Sequence, residues 1–143
     1  MNREEIYSAL FDLVSGAYKF TTKSRRLRHW SDVTPAMQPA LYQAQGNESI
    51  ELPGRGIPAK VTLRAKLYIY ARSGGTPDSV PATIINTLLD AVDAALATTD
   101  ASEEQTLGGL VSHCRVVGTI ETDEGVLGDQ GLAIVPIEIV VNI

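Results

Sequence analysis

The sequence is short of the residues that most often do chemistry. Among 143 residues there is one cysteine, Cys114, and there are two histidines, His29 and His113. A single cysteine makes no internal disulfide, which fits a reducing compartment. One cysteine and two histidines also leave no zinc-ligand spacing. Aromatic residues are only 6% of the chain. No apolar run approaches the roughly 18 residues that a membrane span needs. The first ten residues place Glu4 and Glu5 where a signal peptide is basic and then apolar. The expectation is a soluble, unexported domain with no membrane partner. Hydrophobic residues at 44% and charged residues at 20% are ordinary globular values, and they exclude wholesale disorder. The length fits one domain, residues 1–143, able to bury a core without staples.

Charge is present but unevenly spread. The net charge is −5. Residues 19–72 hold ten basic residues against three acids, a net +7. Residues 73–143 hold Arg115 against eleven acids, a net −10. A basic middle in an acidic chain suits nucleic acid, or a second copy of the same chain meeting it basic face to acidic face.

Residues 2–17 have the pattern of an amphipathic helix. Asn2 suits the N-cap, with Glu5 three residues on. Ile6, Leu10, Leu13, Val14 and Ala17 recur at helical spacing. Residues 20–30 are expected to be extended but have no apolar face: Phe20, Arg26, Arg28 and Trp30 alternate with Lys23, Arg25, Leu27 and His29. Such a strand is an arm, an edge, a surface completed by another molecule, or a solvated outer strand. Residues 31–59 carry Pro35, Pro39, Pro53 and Pro58 and a Gly54-Arg55-Gly56 tip. They predict a long loop or open hairpin, with a short strand at 40–45. The glycine triplet lacks the spacing and the following lysine of a phosphate loop.

Residues 60–70 are the clearest strand. Val61, Leu63, Ala65, Leu67 and Ile69 face one way; Lys60, Thr62, Arg64, Lys66, Tyr68 and Tyr70 face the other. The second face suits nucleic acid, solvent or a protein partner. A second helix is predicted to about residue 97, capped by Asp78 or Ser79 with Pro81 in its first turn. Its stripe is Ile84, Ile85, Leu88, Leu89, Val92, Ala95 and Leu96. Two strands follow. Residues 110–121 place Leu110, Cys114, Val116 and Ile120 together. Residues 131–141 are apolar on both faces, so both should be covered or lie at a subunit contact. Pro136 argues for an edge or a bulge there. The fold class is α+β: one mostly antiparallel sheet carrying two helices, in the order helix, strands, helix, two strands.

No catalytic constellation emerges. His113 and Cys114 are adjacent, but neighbours on a strand point to opposite faces and do not converge. Cys114 shares its face with apolar residues and is expected to be core. His29 lies between Arg28 and Trp30 in the basic segment and is expected at the surface. Asp123, Glu124 and Asp129 lack the spacing and closing glutamate of a calcium loop. The expectation is a protein that is not an enzyme, with no catalytic residue, no metal and no cofactor.

The segments TIINTLLDAVDAAL and QTLGGLVSHCRVVGTIETDEGVLGDQGLAIVPIEIVV, within a stretch from about residue 60 to the end, resemble the tail terminator (tail completion) proteins of long-tailed double-stranded DNA phages. The resemblance implies a small α+β domain that forms a hexameric ring on the head-proximal end of the tail tube. Such a ring stops tube polymerisation and offers a surface for head joining. The implied partners are other copies of the chain, the tail tube protein and a head–tail connector or neck protein. DNA would pass through the lumen without specific binding. The protein would be made in the host bacterial cytoplasm and end in the virion. The resemblance carries no catalytic residues. Charge and exposure instead mark Arg25, Arg26, Arg28, Trp30, Arg55, Arg64 and Lys66 as candidate protein-interface residues. A neck or head-completion protein of the same particle is the alternative, and a small nucleic-acid-binding module the next.

Overall fold

In the computed structural model the chain runs α1 (Arg3–Ser15), β1 (Thr22–Ser24), 3-10 turns at Trp30–Asp32 and Pro35–Met37, β2 (Ala40–Glu51), β3 (Lys60–Arg72), α2 (Pro81–Leu96), β4 (His113–Val116), β5 (Glu121–Asp123) and β6 (Gln130–Asn142). The structure describes residues 1–73, 78–98, 103–124 and 129–143. Parts of the 73–79 turn, of the polar stretch 98–109 and of the acidic 122–131 loop therefore lie outside the described residues.

The long period-two runs build the sheet. β3 lies between β2 and β6, antiparallel to both, and β4 and β5 pair end to end along the outer side of β6. β1 adds a short parallel pair to β2 at residues 22–24. The α+β class and the mostly antiparallel sheet expected from the periodicity are present. Both helices pack on one face. There Val61, Leu63, Ala65, Leu67 and Ile69 of β3 meet Ala133, Val135, Ile137, Ile139 and Val141 of β6, with Ile6, Leu10, Ile85, Leu88 and Val92 from the helices. Among the described residues no helix is long and apolar enough to cross a membrane.

Local chemistry explains both helices. The Asn2 side chain accepts a hydrogen bond from the Glu5 amide, closing the first turn of α1. α2 starts with Pro81 at its first turn, but its N-cap is Val80, without a side-chain cap bond, rather than Asp78 or Ser79. Proline's fixed φ supplies the pre-organisation that a capping side chain would have given. The helix sits tightly on β6 at Gly131, where an added Cβ would lie 3.1 Å from Ile85 Cγ1.

Three strand expectations need correction. The 20–30 segment is strand only at Thr22–Ser24; beyond that it lacks the apolar face that would hold it on a sheet. The short strand expected at 40–45 within 31–59 is the 12-residue β2, which pairs with β3 in a long hairpin, because its largely polar outer half needs no cover at a sheet edge. The 110–121 run is strand only at β4 until β5 begins at its last residue, and Ile120 is 37% exposed between the two instead of on the core face.

The break explains Pro136. β4 pairs with residues 137–140 of β6 and β5 with 132–134. The Pro136 carbonyl accepts from the Val117 amide in the gap. A residue's amide and carbonyl point to the same side of an antiparallel strand. The missing proline donor is thus aimed where the neighbouring strand is interrupted, a local edge within an interior strand. Gly118, at φ +118°, turns the chain there beside the Pro136 ring.

A second, smaller core lies on the opposite face. Val33, Ala40, Tyr42 and Tyr70 bury one another under the 3-10 segment, with Met37, Tyr68 and Leu132 around them. Tyr42 and Tyr70 meet edge to face at 5.9 Å. Among the described residues the Tyr42 hydroxyl is buried without a partner, whereas the Tyr7 hydroxyl donates to the Arg64 carbonyl at 3.2 Å. Tyr42→Phe is therefore expected to leave stability unchanged or raised, and Tyr7→Phe to lower it by about 1 kcal/mol. Parallel urea titrations of the two variants read the contrast directly; equal losses would contradict it.

Candidate interaction surfaces

The basic segment 25–30 begins with an arginine that is already used. Arg25 Nη1 lies 2.6 Å from Glu4 Oε1 and 3.0 Å from Ser8 Oγ, and its Nη2 reaches Glu4 Oε2 at 3.3 Å. Hydrogen bonds from Arg25 and Ser8, then the Arg25 charge, hold the Glu4 carboxyl below its ordinary range. The clasp ties the loop to α1. It is present at neutral pH, above the ordinary glutamate value of 4.5, and is lost as pH falls through the lowered Glu4 pKa. Arg25 is thus an internal anchor, and it presents the residues that follow.

Those residues point outward. Arg26, Leu27, Arg28, His29 and Trp30 are all exposed, Trp30 by 45% and Leu27 by 43%. The Arg26 amide donates to Ser24 Oγ, and the Ser31 amide donates to His29 Nδ1. The His29 ring stands 5.5 Å from the Trp30 ring. The segment therefore offers two guanidinium groups beside two large apolar side chains, held by short local bonds. That composition fits the hot spots of protein interfaces.

The remaining candidates are elsewhere. Arg64 and Lys66 lie on the face of β3 away from the helices. There they border a shallow groove of ≈ 250 Å³ with Asn47, Pro136 and Glu138. Arg64 Nη1 reaches Asn47 Oδ1 at 3.3 Å and Ser49 Oγ at 3.4 Å. Gly46 permits this close approach of the β2 bulge, since a Cβ there would lie 3.2 Å from that of Arg64. In register, Glu138 sits between Arg64 of β3 and Arg115 of β4. The row is mixed in sign rather than a uniform basic platform, which disfavours nucleic acid as its ligand. Arg55 stands at the exposed tip of the β2–β3 hairpin. The structure does not bring the seven candidates to one patch: it separates a loop, a sheet face and a hairpin tip.

Two features were missed in sequence. One is the Arg25–Glu4 clasp, which joins residues 21 positions apart and leaves no periodic signal. The other is the aliphatic exposure at the hairpin, where Leu52 is 78% exposed.

His113 and Cys114 point to opposite sides of β4, as strand alternation requires. Cys114 lies in the main core, and His113 pairs in register with Val140 on the other face. Burial pushes the Cys114 thiol up to about 12 and raises the hydroxyls of Tyr7, Tyr42 and Tyr70. Each group stays neutral in the fold at a pH where the unfolded chain ionises. Their contribution is complete below about pH 9 and is lost as pH rises through the raised values. The melting temperature should be level from pH 7 to 9 and fall towards pH 11; circular-dichroism melts that stay level would contradict the burial. Among the described residues no group of three or more histidine, cysteine, aspartate or glutamate side chains is placed to hold a metal.

No protein-family model matches the chain, and no curated protein sequence does. The fold is similar to that of a chain in a solved structure described as the virion of a native gene transfer agent (GTA) particle. That likeness has a TM-score of 0.51 at 12% identity, and it covers 94% of this chain and 92% of the other.

Proposed function

We propose that this chain is a structural protein of a phage-like virion, and within it a tail terminator. It forms a ring on the head-proximal end of the tail tube, stops tube growth and presents a surface to which the head joins. The observation that carries the reading is the end-to-end likeness to a chain of a virion particle. The likeness spans nearly the whole of both chains, so the entire domain corresponds and not a shared motif alone. The sequence resemblance of the C-terminal half to tail terminators narrows the place within the particle.

The task asks for surfaces rather than reactive groups. A ring of identical subunits needs two different patches on each copy. The exposed arginines at 26 and 28 and the acid-rich C-terminal half supply opposite signs. Arg–carboxylate pairs are directional and often bidentate, and they fix register between copies. On this reading the protein does no catalysis and holds no cofactor. DNA passes an acidic chain without a specific site.

The test is tail length. Particles made without this protein should have tubes of irregular, excessive length and no joined heads. Supplying the protein should restore one length. Normal tails in its absence would remove the terminator role.

A further inference from the structure

The strand order puts opposite charges on the two edges of the sheet. β1 and the segment after it form one edge; β4 and β5 form the other. Residues 19–32, at the first edge, hold Lys19, Lys23, Arg25, Arg26 and Arg28 against Asp32. Residues 103–124, along the second, hold Glu103, Glu104, Glu121, Asp123 and Glu124 against Arg115 and no other Lys or Arg. Four strand spacings separate the edges, about 20 Å. The two cannot meet within one copy.

Each edge also has an apolar centre. At the first, Leu27 and Trp30 are 43% and 45% exposed; at the second, Val117 and Ile120 are 41% and 37% exposed. Residues 117–121 are exposed throughout. They form a notch between β4 and β5, beside Pro136. The gap offers an added strand no ladder to join, because Pro136 has no amide and its carbonyl already accepts from Val117. Side chains therefore fill it. Tryptophan flanked by arginine is the composition that anchors protein contacts.

The order of groups matches as well. Along the first edge come Arg26 and Arg28, then Trp30, then Asp32. Along the second come Arg115, then Val117 and Ile120, then Glu121 and Glu124. Read in opposite directions, the two series agree at every position, the minority charges included. Neighbouring charges do not reverse the signs. Glu4 and Glu48, near the first edge, are held by Arg25 and Arg3. Arg64 and Lys66 stand on β3, two strands inward from the second, with Glu138 between Arg64 and Arg115.

We infer that segment 26–32 of one copy seats Leu27 and Trp30 on Val117 and Ile120 of the next copy. Arg26 and Arg28 then face Glu121 and Glu124, and Asp32 faces Arg115. The contact joins unlike edges, so repeating it yields a ring or a filament. It deepens the terminator reading by naming the surface that meets the arginines, and it rests on that reading only for closure into a ring.

Paired charge reversals test it. Arg26→Glu/Arg28→Glu and Glu121→Arg/Glu124→Arg should each keep the parent's circular dichroism and self-associate about tenfold or more weakly by sedimentation. Mixed in equal amounts, the two variants present opposite signs at every contact and should assemble again in alternation. Loss in the arginine variant alone would mean that the segment docks on another protein, and would overturn the inference. So would a mixture that stays dissociated, or a parent that sediments as a monomer throughout. Cysteines test the direction: under mild oxidation Asp32→Cys should cross-link to Arg115→Cys and not to Glu124→Cys. The reverse preference would overturn the proposed register. The native thiol, 2% exposed, leaves the parent protein as the negative control. Restored assemblies of a protein that does not limit tail length would sink the terminator role and leave the contact. Normal tails from Glu121→Arg/Glu124→Arg would sink the contact and leave the role.

Discussion

Arg26→Glu/Arg28→Glu, with Arg25 retained, should fold like the parent and fail to assemble. Both side chains are exposed, and surface changes of this kind usually shift stability by less than about 0.5 kcal/mol each. The expected consequences are loss of ring formation or of docking on the tube, and long or headless tails. Arg25→Glu is a different experiment. It sets a new carboxylate against Glu4 and removes the bonds to Glu4 and Ser8. It should therefore loosen the whole 25–30 segment, so its assembly defect would come with faster proteolysis there. A DNA-binding role for the loop predicts another pattern. The parent would shift duplex DNA at low salt with a steep salt dependence. The double variant would lose the shift and still form rings. Gel-shift titrations beside ring counts separate the two. Normal rings and tail lengths from the double variant would refute the assignment of these arginines to a protein contact.

Leu88→Ala should be the most damaging single truncation in α2. Leu88 is fully buried in the main core with Ile85 and Val92. Leu-to-Ala changes at such sites cost about 2–5 kcal/mol through lost transfer energy and the cavity left behind. Domains of this size have roughly 5–15 kcal/mol in total. Denaturant titration should be done at protein concentrations below those that permit assembly, because association adds to apparent stability. A loss under about 1 kcal/mol would contradict the placement of α2 as the principal core helix.

The parts of the fold legible in sequence were those whose burial repeats regularly. β3 and β6 alternate without interruption, and α1 and α2 carry unbroken stripes, so their faces followed from periodicity. The failures share one cause: a segment whose pairing is decided by neighbours far away. β2 is polar beyond Gln45 except for Ile50, and it becomes a strand because β3 supplies its partner and the outer edge needs none. β4 and β5 split where Gly118 turns beside Pro136, a break set by β6. The interface candidates were legible as charge but not as geometry. Arg25 and Arg26 are neighbours in sequence, yet one is clasped to Glu4 and the other faces solvent. Likewise, Ile120 was legible as an apolar residue, but its place in an exposed notch depends on β4 and β5 parting beside Pro136.

An electron-microscopy reconstruction of the particle that contains this chain tests the terminator role most directly. The account predicts a six-fold ring of this fold between the last tube ring and the head, with successive subunits in contact around it. Density for the chain in the capsid shell, at the far tip of the tail, or nowhere in the particle would contradict it.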